Sequence, residues 1–233
     1  MTAKDLKHRL LRIIRQDHPG TEPSYLGDDV TQAVNWAYQV LWSQVPEDRR
    51  SHYTRRLDTI SLVAGTREYA LAEDVQDVIG PVYRITDESP LMPLRHKTDV
   101  LTYAARVKET RTLDNGPVEA FYIERLNQLA DDATRIKLWV APIPVAAVNL
   151  RAEVETQAPR FERDDFCSAT PPKLQIPHAY VESLLLPVAA RYMMLSNRFN
   201  NAALGEQLEK EATRALAAVG VTDPQVALAE PAK

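Results

Sequence analysis

Apolar residues recur with two different periods along this chain, and the order in which the periods alternate outlines its architecture. Leu6, Leu10, Ile13 and Ile14 fall at i, i+4, i+7 and i+8, which predicts an amphipathic helix over 3–17. His18-Pro19-Gly20 stops it, because proline cannot continue the hydrogen-bond ladder. Asp28 and Asp29 then open a second predicted helix, where acids suit the positive end of the dipole. Val30, Val34, Ala37 and Leu41 form one stripe on it, and Tyr38, Trp42 and Val45 a second beside it. That helix is apolar over a wide arc and is expected to be central. Pro46 either ends it or begins a short continuation through Arg56.

Beyond residue 57 the period drops to two. Ile60 and Leu62 point one way, and Thr59, Ser61 and Val63 the other. Ala64-Gly65-Thr66 is a predicted turn and 68–71 a short return strand, with weaker strands at 78–85 and 91–95 and a helix at 99–107. Asp114-Asn115-Gly116 is a strong turn signal, since asparagine and glycine tolerate positive φ. A strand over 118–123 follows. Ile136, Leu138 and Val140 alternate with Arg135, Lys137 and Trp139, and Val148, Leu150, Ala152 and Val154 alternate with polar residues, as strands with one wet face do. The middle third therefore reads as an antiparallel β lobe built from hairpins.

Residues 156–175 are irregular. Pro177 then suits the first position of a helix, with Val181, Leu185, Val188, Tyr192 and Leu195 as its stripe and a kink at Pro187. Asn200-Asn201 suits a new N-cap, and Leu204, Leu208, Ala212, Leu216 and Val219 carry a last stripe to Gly220. The segment after it, rich in alanine and proline, is expected to be extended and loose until something binds it. The fold class is α+β: a helical body (1–56 and 176–220), an inserted β lobe (57–160), an irregular linker (161–175) and a flexible tail (221–233).

Composition narrows the function more than it names one. The 233 residues carry a formal charge of −4, against the basic balance of a general nucleic-acid binder. The lone Cys167 excludes an internal disulfide and reads as a buried or idle thiol. No apolar run approaches the roughly 20 residues that span a bilayer, and the start lacks a signal-peptide pattern, so the protein is expected to be made in a cytoplasm and kept there unless it leaves inside a particle. Sixteen prolines against seven glycines mark the ends of elements.

Candidate chemistry is sparse. The chain has neither a glycine-rich phosphate loop nor a Gly-x-Ser-x-Gly elbow. His8, His18, His52, His96 and His178 are scattered singly, without metal-ligand spacing. Asp28-Asp29, Asp131-Asp132 and Asp164-Asp165 are neighbours whose side chains diverge, which fits a helix start and two turns better than a catalytic pair. Arg49, Arg50, Arg55 and Arg56 could meet a phosphate backbone, but Glu47, Asp48 and Asp58 lie among them, which favours a solvated surface or a subunit contact. Trp36, Tyr38 and Trp42 read as core, except that Trp36 lies off the line of the other two and is a candidate to face a neighbour. The expectation is a protein without catalytic, metal or cofactor site.

Several short motifs, taken in order, resemble the adaptor proteins of tailed-bacteriophage necks, which sit between portal and tail. They are Val34-Asn35-Trp36-Ala37-Tyr38 in the second helix, Val63-Ala64-Gly65-Thr66, and Tyr69-Ala70-Leu71-Ala72-Glu73-Asp74-Val75. A strand ending in Pro142-Ile143-Pro144, the helix start Ile176-Pro177-His178-Ala179-Tyr180, and Ala189-Ala190-Arg191-Tyr192 complete the series. The resemblance runs from the first helix to Gly220; Trp139 and the long polar stretch 156–175 depart from it. It implies a ring, commonly of twelve copies, beneath the portal, with the helices around a DNA channel and the β lobe outward or toward the next neck ring. DNA would pass through without specific binding. It further implies a portal contact by the C-terminal segment, with Val221, Pro224, Val226 and Leu228 as candidates, and subunit contacts for which Trp36, Arg49, Arg50, Arg55 and Arg56 are candidates. The alternatives are another neck component, such as a stopper or tail-completion protein, and a cytoplasmic ligand-binding domain. The latter would be content as a monomer, whereas an adaptor would form rings on its portal.

Overall fold

The structure is a computed structural model that describes residues 1–14, 24–85, 92–96, 117–125, 136–194 and 202–229. The predicted stop at His18-Pro19-Gly20, the helix at 99–107, the turn at 114–116, Asp131-Asp132 and the Asn200-Asn201 cap lie outside the described residues. The chain divides into two compact units, Met1–Tyr53 with Ala158–Lys233, and Thr54–Gln157.

The first unit is helical. Helix α1 (Ala3–Ile13) starts at a capping box in which Thr2 Oγ1 accepts from Asp5 N and Thr2 N donates to the Asp5 carboxylate. Helix α2 (Ser24–Gln44) begins upstream of Asp28 and Asp29, so these aspartates lie within the helix and do not open it. Pro46 separates α2 from α3 (Glu47–Thr54), whose first turn it opens by accepting from the amides of Arg49 and Arg50; α3 stops at Thr54, short of Arg56, where a strand begins at Arg55. After a single 3₁₀ turn (Arg163–Phe166), Pro177 serves as the N-cap, one residue before the start of α4 (His178–Tyr180). A π turn (Val181–Leu185) leads into α5 (Leu186–Met194). This wide turn is how the helix accommodates Pro187: the proline has no N–H to give, and widening the preceding turn relieves its ring against the carbonyl four residues back.

Helix α5 packs on α1, α2 and α6 (Ala202–Ala218). It can do so closely because Ala189 and Ala190 are small and fully buried. The core of this unit also holds Leu6, Leu10, Tyr38, Leu41, Leu184, Leu185, Leu208 and Leu216. The stretch after Gly220 differs from the extended tail expected. Gly220, at φ 88°, turns the chain back so that its amide and that of Val221 donate to the carbonyls of Ala217 and Leu216. Asp223 then caps one further turn, α7 (Pro224–Ala227), by accepting from Val226 N at 3.2 Å. Val221, Ala227 and Leu228 are buried in the helical core, which holds the segment down through 229.

The second unit is a two-layer β structure. One sheet has β1 (Arg55–Leu62), β9 (Val148–Thr156), β4 (Tyr83–Ile85) and β5 (Met92–Pro93) in that order, with β3 (Val75–Val78) also on β9. The other runs β2 (Glu68–Ala70), β8 (Ile136–Ala141), β7 (Ala120–Arg125) and β6 (Arg95–His96). The alternating residues predicted to point inward do so: Leu138 and Val140 of one sheet share a core with Leu150, Ala152 and Val154 of the other. Two expectations change. The strands are not a run of hairpins, since β1 pairs with β9 and β2 with β8, each chain-distant. The pairing is also mixed, because β6 lies parallel to β7. The connection from His96 to Ala120 is long enough for the crossover that a parallel pair needs.

Candidate interaction surfaces

The first surface is built from motifs far apart in sequence. At the end of β1, Gly65 takes φ 79°, a left-handed conformation that glycine adopts without a Cβ penalty. Its amide donates to Pro144 O at 2.8 Å, tying the turn after β1 to the turn after β8. The Tyr69 hydroxyl accepts from Val63 N at 3.1 Å and lies within donating reach of the carbonyls of Val63 and Thr66. Burial pushes that hydroxyl above its ordinary pKa. Downstream in the same motif, Leu71 and Val75 are buried, and Asp74 forms a bidentate pair with Arg56, which also holds Asp58 at 2.7 Å. What these contacts fix in place is an uncharged apolar tip: Val63 and Val145 are 60% and 55% exposed, with Ile143 beside them.

The second surface belongs to the helical unit and centres on Arg191. Its guanidinium donates to Glu209 Oε2 at 2.6 Å and to the Leu228 carbonyl, and lies 5.9 Å from the centre of the Trp36 ring. One side chain thus ties α5 to α6, to α2 and to the end of α7. The fixed α7 presents Val226 to solvent, 68% exposed, beside a half-buried Pro224. A groove of about 610 Å³ opens next to it, lined by Met194, Glu209, Lys210, Arg214 and Gln225 among others.

The candidate residues are therefore divided. Trp36 is buried, stacked on Tyr192 at a ring distance of 4.9 Å, so the expected outward role for it is corrected: position 36 turns toward α5. Val221 and Leu228 are likewise core residues, which leaves Val226 and part of Pro224 as the accessible members of the portal-contact set. Arg50 donates to the Trp42 carbonyl at the end of α2, and Arg49 is exposed beside Asp48. Arg56 donates hydrogen bonds to the carboxylates of Asp58 and Asp74, which raise its pKa, and Arg55 lies 3.9 Å from Glu153. Positive charge on β1 is thus largely neutralised in place.

Sequence reasoning missed the role of 158–175. Phe161 and Phe166 are buried in the helical core, and Asn35 clasps the Phe161 backbone with two 2.8 Å bonds, its amide to the carbonyl and its oxygen from the N–H. The stretch also bonds to the start of α1, where Ala3 N donates to Pro172 O. An asparagine inside an apolar helical arc, and two phenylalanines in a polar loop, were the available signals. Trp139 resolves similarly: half-buried on the outer face of β8, it donates from its indole nitrogen to Glu124 at 2.8 Å. Cys167, expected to be buried or idle, is exposed, 3.7 Å from Lys7 Nζ. Among the described residues, no group of three or more His, Cys, Asp or Glu side chains could hold a metal, and no helix is long and apolar enough to cross a membrane.

Motifs far apart in the chain thus clasp turns, straps and helices of an α+β protein, and leave apolar loops and the exposed face of α7 at its surface. A profile of the SU10 adaptor protein family matches residues 1–229, and the chain belongs to that family, a phage head-to-tail adaptor family. It is therefore a component of the virion neck. A search of curated proteins returns no match.

Proposed function

We propose that the protein assembles as a ring beneath the portal, of twelve copies in the family's common arrangement, and passes DNA through its channel while joining capsid to tail. The family match over 1–229 carries this reading. The fold is compatible with it: a ring needs two different patches on each subunit, and this chain offers more than one, including the exposed face of α7 and the apolar tip of the β unit. The net charge of −4, repeated around a ring, would repel the DNA backbone and let it slide without specific binding. Portal contact is assigned to Val226 and the exposed part of Pro224, held in place by Arg191. Subunit contacts are assigned to the exposed Arg49.

The test is electron microscopy of the full chain mixed with the portal from the same genome. A second ring of density stacked on the portal, absent from portal alone, is the expected result, and an intact portal with no added density overturns it. The contact assignment is checked with Val226→Asp. Truncation at 221 would remove Val221, Ala227 and Leu228 from the core, whereas Val226→Asp changes only an exposed side chain. Portal binding should weaken about tenfold, or about 1.4 kcal/mol, with an unchanged melting transition; unaltered binding removes α7 from the portal contact.

A further inference from the structure

Charge is not spread evenly over this chain. Its formal total is −4, yet residues 1–14 hold four lysines and arginines against a single acid. Helix α1 sets most of these side chains on one face. Lys4, His8 and Arg12 follow one another at four-residue steps, about 6 Å apart along the axis, and Arg9 stands beside them. All four are exposed, while Leu6, Leu10 and Leu11 of the same helix are buried in the core. The stretch 158–175 adds Lys173, also exposed, whose backbone bridges Thr2 at the start of α1.

Two carboxylates lie among these cations, and both are engaged. Hydrogen bonds from the Thr2 backbone and hydroxyl hold the Asp5 carboxyl below its ordinary pKa. Glu182 pairs with Arg9 and lies 4.0 Å from His178 Nε2. The side chains of Lys4, His8 and Lys173 have no ion pair or hydrogen bond among the described residues. The 3₁₀ turn with Asp164 and Asp165 packs on α1 from the side of the buried Lys7, and so bounds the face. The face is also bare of apolar side chains. The large apolar residues exposed among those described, Leu57, Val63, Ile143, Val145 and Val226, all lie on other elements. That combination separates two kinds of partner. A protein interface is organised around an apolar or aromatic centre and is poor in lysine. A surface for a nucleic-acid backbone is polar and positive.

We infer that the exposed face of α1, together with Lys173, is where this protein meets duplex DNA, through contacts to phosphates alone. Such contacts carry no sequence information. They also exchange readily along the duplex, which lets it slide. The net charge of −4 keeps the remaining surface off the backbone, so the face guides DNA without gripping it. The inference rests on the ring-and-channel reading only for the source of the DNA; the phosphate contact itself is a property of the single chain.

The experiment is fluorescence anisotropy of a labelled random-sequence duplex, titrated with the full chain over a series of salt concentrations. A Lys4→Gln, Lys173→Gln double variant is run beside it, with Lys210→Gln, an exposed cation of α6, as control. For the parent, log affinity should fall against log salt with a slope of about −3. The double variant should melt like the parent, bind about tenfold more weakly at the lowest salt, and show a slope shallower by about two. Lys210→Gln should change neither affinity nor slope. A parent without salt-dependent binding overturns the inference, and so does a double variant that loses no more than Lys210→Gln. If the double variant keeps the duplex but no longer stacks on the portal, the face serves an acidic protein surface and the inference also falls. A failed ring reading shows separately, as absence of the parent chain from the portal in electron micrographs, and leaves the anisotropy result standing.

Discussion

Arg191 does several things at once, and this makes it the most informative single residue in the helical unit. Its fork reaches Glu209 and the Leu228 carbonyl while its plane lies near Trp36, and its side chain is only 12% exposed. Arg191→Leu should cost about 3 kcal/mol, because it strands the Leu228 carbonyl as well as one carboxylate. Arg191→Lys should recover less than half of that, since an ammonium cannot reproduce the fork; denaturant unfolding of both variants checks it. Tyr38 and Tyr53 make a second prediction at this scale. Burial raises both hydroxyls above the ordinary value of 10.0, and Tyr53 donates to the Leu41 carbonyl at 3.1 Å. A group raised in the folded state contributes stability that is whole below its unfolded pKa and is lost above it. The helical unit should therefore keep full stability below about pH 10 and lose it as pH climbs further. In an alkaline titration followed by tyrosinate absorbance, two of the nine tyrosines should ionise only with unfolding. Ionisation of all nine before any loss of helix signal would contradict this.

At the scale of elements, the turns decide where chain segments go. Gly220 at φ 88° sends the C-terminal segment back onto its own core, and a Cβ added there would meet only Pro46 Cγ at an ordinary 3.5 Å. The penalty for Gly220→Ala is thus mainly the left-handed backbone, about 1–2 kcal/mol. Amides of α7 should lose protection in that variant while those of α2 do not, which exchange measurements resolve. Most elements are legible in the sequence because their periods are strong. The stripes of α1, α2 and α6, and the alternation of β1, β8 and β9, follow directly from residue spacing. Partners are not legible. The turn signal at Ala64-Gly65-Thr66 is genuine, yet the strand after it joins the other sheet, because pairing depends on which edge is open in space. The tail was misread for a related reason. Alanine and proline say little about burial, and the pocket that receives Val221 and Leu228 is assembled by distant helices.

At the scale of the whole molecule, the described buried apolar residues of each unit form a cluster of their own. A cavity in one should therefore be felt first in that unit. Leu138→Ala, at a fully buried site of the β core, should cost about 3 kcal/mol and lower amide protection across β7, β8 and β9. Leu184→Ala should do the same for α2 and α5. Native-state exchange on the two variants checks this, and an equal loss throughout both units would mean that they unfold as one.

The sequence by itself determined most of the helices and strands that the structure describes, that the chain is α+β, that its motifs resemble those of neck adaptors, and that no familiar catalytic signature is written along it. Those properties depend on spacing along the chain, and spacing can be read without a fold. The tertiary structure alone decided that the motif residues act as clasps: Tyr69 on the turn after β1, Asn35 on Phe161, and Arg191 on the last turn. It also decided that Trp36, Val221 and Leu228 are core while Val226 is exposed. Exposure is set by what folds over a residue, and the cover over these residues comes from parts of the chain remote in sequence.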